Sequence, residues 1–89
     1  MSNKITAEHK AALAKAIGFA SKALQAADRA AADNSDPVAK RLFAQEANTL
    51  RGAIYRADNG DLRGQQDGID RVYSAAAETQ RVLAMWGRG

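Results

Sequence analysis

The apolar residues of this chain recur at alternating steps of four and three, in three separate runs, and that spacing leaves little choice of fold. In the first run Leu13, Ile17, Ala20, Leu24, Ala27 and Ala31 follow one another at 4, 3, 4, 3 and 4 residues. Phe43, Ala47, Leu50, Ile54 and Ala57 repeat the pattern in the second run, where Val38 and Leu42 broaden the stripe. Leu62, Gln65, Ile69, Val72, Ala76, Thr79, Leu83 and Trp86 carry it through the third. Side chains at such steps share one face of an α-helix, whereas a half-buried strand needs alternation at every second residue.

The breaks between runs are marked by residues that start or stop helices. Thr6 is placed to cap the first helix, and Asp33-Asn34-Ser35-Asp36 ends it. Asp36-Pro37 then reads as an N-cap followed by proline at the first helical position, where no amide donor is needed. Asn59-Gly60 supplies two residues that tolerate the left-handed conformation in which many helices end. The stretch DNGDLRGQQDG, from Asp58 to Gly68, is less easily read. Continuing the three-four alternation back through it makes Asp61 the N-cap of the third helix and puts Gly64 and Gly68 in its first turns. On that reading Gly64, Gly68 and Ala76 form a flank where another backbone approaches closely. The competing reading makes residues 59–67 an open loop, with the helix starting near Asp67. The early start is favoured, and the expected fold is a small all-α, antiparallel three-helix bundle. Its single domain covers residues 1–89, with helices near 7–32, 37–58 and 61–86.

Little of the apolar content is bulky. Alanine occurs 21 times in 89 residues, whereas Leu, Ile, Val and Phe together number 15. A fully buried leucine-sized side chain contributes roughly 1.5–3 kcal/mol and alanine far less, so such a bundle leans on helix propensity and close backbone approach. The seams also permit a coiled-coil-like homodimer. The formal net charge is +3, and the excess lies entirely before residue 33, in Lys4, Lys10, Lys15, Lys22 and Arg29 against Glu8 and Asp28. Lys15, Lys22 and Arg29 are seven residues apart and lie opposite the seam, as a solvated outer stripe. Phe19 is also off the seam, in a position suited to packing against the third helix. With no cysteine there is neither a disulfide framework nor a thiolate metal site. Charges interrupt every apolar run well short of the roughly 20 residues a membrane span needs, and the expected location is the cytoplasm.

The residues capable of chemistry are scattered. In DNGDLRGQQDG neither register of a calcium loop supplies the oxygen ligands or the closing glutamate, and Arg63 would put a cation inside the cage. His9 is the lone histidine, about 100° around the helix from Glu8. Ser21, Ser35 and Ser74 have no base or glycine elbow near them in sequence. No cofactor and no catalysis are expected. Tyr and Arg are the residue types that dominate binding hot spots, which makes Arg51, Tyr55, Arg56, Arg63 and Tyr73 the candidates for holding a partner.

The expectation is therefore a binding protein that covers part of a larger protein or nucleoprotein complex. A small inhibitor or adaptor of a bacterial phage or mobile element, of the anti-CRISPR type, would be built this way. The alternatives are a nucleic-acid-associated regulator contacting phosphates through Lys10, Lys15, Lys22 and Arg29, and a homo-oligomerising structural module.

Overall fold

The computed structural model describes residues 7–86 and folds them into three α-helices: α1 (Ala7–Asp33), α2 (Pro37–Asp58) and α3 (Gln66–Trp86). No strand occurs among the described residues. The proposed Thr6 cap lies outside them. The boundary at Asp36-Pro37 is as read from the sequence. Asp36 has extended backbone angles (φ −76°, ψ 117°), and its carboxylate accepts the Val38 amide at 3.0 Å. Asn34 steadies the cap in turn, its side-chain oxygen accepting the Asp36 amide at 2.9 Å.

Two packed clusters fix how the helices run. Leu13, Ala16, Ala20 and Ala23 of α1 pack with Leu50 and Ala57 of α2 and with Ile69, Val72 and Ala76 of α3. At the other end, Ala30 and Ala31 meet Ala39, Phe43, Val82 and Leu83. The first half of α1 thus meets the second half of α2 and the first half of α3. Consecutive helices are antiparallel, and the bundle is a rod of 51 × 18 × 15 Å.

The rod is thin because alanine, not leucine, occupies its centre. Ala16, Ala20 and Ala27 are fully buried, while Ile17 and Leu24, assigned to the seam by their spacing, are half-buried on its flank. Ile54 is displaced in the same way, and Val38 is 67% exposed, so it does not broaden the stripe as expected. Helices in close approach leave room only for methyl groups between their axes, and larger side chains move to the edges. Phe43, the largest fully buried side chain, anchors the end where α1 turns into α2. The only polar residue in the core of the described chain is Thr79, whose hydroxyl donates to Glu46 at 3.3 Å.

The favoured early start of the third helix is not what forms. Residues 59–65 are turns, and α3 begins at Gln66. Gly64 has φ +81°, a left-handed conformation that no α-helix contains. Asp61 caps nothing; its carboxylate is held by Arg56 through two contacts of 3.0 Å. Nor does α2 end in a left-handed residue. Asn59 has φ −131°, and Gly64 is the sole residue with positive φ among those described. The Asn59 and Gly60 amides both bond to the Tyr55 carbonyl, and the Leu62 amide to that of Arg56, folding the chain back under α2. The close approach expected of the glycine flank occurs at Gly68. A Cβ there would stand 2.8 Å from the Leu62 carbonyl oxygen and 3.2 Å from the Ala57 Cα. The loop and the end of α2 fill that space, so neither α1 nor a partner uses it.

Candidate binding surfaces

Three long grooves run between the helices, and the candidate residues are divided among them. Arg51 faces α1: its guanidinium bonds both oxygens of Asp28, at 2.8 and 2.9 Å, and also the Asn48 side chain at 3.0 Å. Tyr55 lies one turn further along the same flank of α2 and is 62% exposed. Beyond it is a recess of about 600 Å³ lined by Lys10, Leu13, Ala14, Ile17 and Gly18 of α1, the end of α2, and Arg63. Arg63 and Lys10, read from the sequence as parts of two different hypotheses, thus share one rim.

Arg56 points the other way, into the groove between α2 and α3. There a hollow of about 410 Å³ is lined by Gly52, Ala53, Arg56, Leu62, Arg71 and Ala75, among others. Both of its arginines are closed on nearby carboxylates, Arg56 on Asp61 and Arg71 on Asp67 at 2.9 Å. The hydrogen bonds from Arg56, with its charge, hold the Asp61 carboxyl below the ordinary aspartate range, and the same pair raises Arg56. On α3, Glu78 raises Arg81 in the same way. Tyr73 is remote from both sites. Its ring stacks at a tilt on Phe19, with centroids 5.8 Å apart, across the groove between α1 and α3. That contact gives Phe19 the third-helix partner its position suggested.

The five residues proposed to hold a partner therefore do not form one patch. Arg51, Tyr55 and Arg63 share the α1–α2 side, while Arg56 and Tyr73 belong to the other two grooves. The carboxylates of DNGDLRGQQDG are separated as well: Asp58 accepts from the Asn59 side chain, Asp61 holds Arg56 and Asp67 holds Arg71. No group of three potential metal ligands gathers among the described residues. His9 is half-buried in the first turn of α1.

Charge is distributed unequally. The four arginines at 51, 56, 71 and 81 all form ion pairs. Lys10, Lys15, Lys22 and Arg29 form none with any described residue and stand exposed along α1. Gly18 was not singled out by the sequence reading, although a glycine within a helix of 27 residues is a visible anomaly. A Cβ added there would meet nothing within 4 Å. No packing inside the molecule requires it.

No described helix is long and apolar enough to cross a membrane. Comparison with protein-family models, with curated proteins and with solved structures returned no match.

Proposed function

We propose that the protein is a non-enzymatic binding module that covers part of the surface of a larger protein, free or within a nucleoprotein complex, as an inhibitor or adaptor does. The observation that carries this reading is the α1–α2 face. There the exposed Tyr55 lies on the same side as a recess with Lys10 and Arg63 at its rim and Leu13, Ala14, Ile17 and Gly18 along its α1 wall. Aromatic side chains and arginine are the residue types enriched at protein interfaces, around an apolar core. Arg51, held on Asp28, serves to join α1 and α2 along that face, and Arg56 and Tyr73 brace the other grooves.

The test is affinity capture from nuclease-treated host lysate with the full chain, beside a variant carrying Tyr55→Ala and Arg63→Glu. The expected result is one protein retained in stoichiometric amount by the wild type and lost with the double variant. Capture of no protein, or equal capture by both chains, would refute the reading.

A further inference from the structure

We propose that the docking element of the partner is an acidic amphipathic helix laid along α1. Its carboxylates, one per heptad, meet Lys15, Lys22 and Arg29, and an apolar side chain enters the recess beside Lys10 and Arg63. This rests on the binding-module reading and names the chemistry of what is bound.

Charge complementarity is the first argument. Between Lys10 and Arg29 the only acid is Asp28, and Arg51 holds both of its oxygens. The four cations of that segment are thus left without a carboxylate among the described residues, whereas the arginines of the α2–α3 side at 56, 71 and 81 are neutralised. Spacing is the second argument. Lys15, Lys22 and Arg29 are one heptad apart, about 10.5 Å along the axis at 1.5 Å per residue. This is the repeat at which charged residues of two packed helices meet. Three phosphate steps of a DNA strand, about 10.2 Å along its axis, come to almost the same length, so the spacing admits a partner helix and the choice against a duplex rests on the recess. The recess gives the third argument, because a phosphate backbone has nothing apolar to place against Leu13 and Ile17. Gly18 lies between Lys15 and Lys22 and also lines the recess, and space remains open around the position its Cβ would take. A helix packed there would occupy it.

The experiment uses the purified full chain and two labelled probes, read by fluorescence anisotropy. One is a three-heptad helical peptide with glutamate at every seventh position and a flanking leucine stripe; the other is a DNA duplex of ~20 bp, long enough to span α1. Saturable binding of the peptide is expected, tighter than that of the duplex. Reversing Lys15→Glu and Lys22→Glu together should weaken it by about tenfold or more, through like-charge juxtaposition. Arg41→Glu, on the outer side of α2, makes a single charge reversal off α1 and should leave it within about twofold, as a distant rim charge does. Gly18→Leu should weaken it while circular dichroism shows the fold intact. Tighter binding of the duplex through the same lysines would overturn the proposal in favour of a phosphate site. Absence of peptide binding, or binding indifferent to the reversal, would overturn it outright. In either case a protein captured from nuclease-treated lysate would leave the binding-module reading standing.

Discussion

Three helix glycines, each changed to alanine, give a matched test of the packing. Glycine within a helix is about 1 kcal/mol less favourable than alanine, so the same substitution carries the same intrinsic gain wherever the new methyl group finds room. At Gly18 and Gly52 a Cβ meets nothing within 4 Å, and the gain should appear whole. In a domain of this size about 1 kcal/mol raises the melting temperature by roughly 4–8 °C. The two sites lie on different helices in different grooves, so the double variant should show the sum. At Gly68 a Cβ would stand 2.8 Å from the Leu62 carbonyl oxygen, 3.1 Å from the Leu62 Cβ and 3.2 Å from the Ala57 Cα. Two of these are backbone atoms, which cannot swing aside. Overpacking of this kind costs about 1–3 kcal/mol, and the propensity gain is reduced because Gly68 is in the first turn of α3. Gly68→Ala should therefore lower the midpoint while the other two raise it. Thermal and urea unfolding followed at 222 nm decide the matter. A Gly68→Ala protein as stable as Gly18→Ala would show that the loop does not pack under α2 as described.

The remaining predictions concern the caps, the core and the loop. Asp36→Ala removes the acceptor for the Val38 amide and should cost about 1 kcal/mol in urea unfolding. Phe43→Ala empties the centre of the smaller cluster and should cost about 3–5 kcal/mol, enough to leave a partly unfolded population by circular dichroism. Arg51→Ala breaks a half-exposed pair and should cost no more than about 1 kcal/mol. Asp61 titrates below the ordinary aspartate range when folded because Arg56 holds it. A carboxyl depressed on folding stabilises above its unfolded pKa, and that contribution is lost as pH falls through the folded value. The protection factors of the Leu62 and Arg63 amides, taken relative to the intrinsic rate at each pH, should therefore fall in acid, and Asp61→Asn should show the lowered protection already at neutral pH.

The helices were legible because their signals are local. The three-four spacing and the Asp36-Pro37 cap follow from which residues sit within a few positions of one another, and the spacing pointed equally to a bundle of thin seams. The start of α3 was not legible, since the same spacing runs back through Leu62 and Gln65 without interruption. What overrides it is the return of the chain under α2, which needs Gly64 at φ +81° and a bare Gly68 against Leu62 and Ala57. Two glycines four residues apart fit either account until the third dimension is known. The seam was misjudged for a related reason. Periodicity ranks Ile17 and Leu24 above Ala16 and Ala23, but in a rod this narrow the smaller side chains take the centre.

The same distinction separates the arginines from the lysines. Residue type alone nominated Arg51 and Arg56 as anchors for a partner, and nothing local shows that Asp28, 23 positions away from Arg51, closes on its guanidinium. An arginine in a bidentate pair must lose that pair before it can serve elsewhere, whereas a lysine with no carboxylate in reach loses only water. The heptad of Lys15, Lys22 and Arg29 was visible from the beginning as a solvated stripe. Its meaning changes once the arginines at 51, 56, 71 and 81 are seen to be engaged, because Lys10, Lys15, Lys22 and Arg29 are then four of the seven described lysines and arginines outside those pairs. Those four lie on α1, beside a glycine that packing inside the molecule does not require, while Lys40, Arg41 and Arg63 lie elsewhere. Gly52 is as open as Gly18, so an open Cβ position does not by itself mark a docking site; what sets Gly18 apart is its place among those cations and on the wall of the recess, where the proposed partner helix would lie.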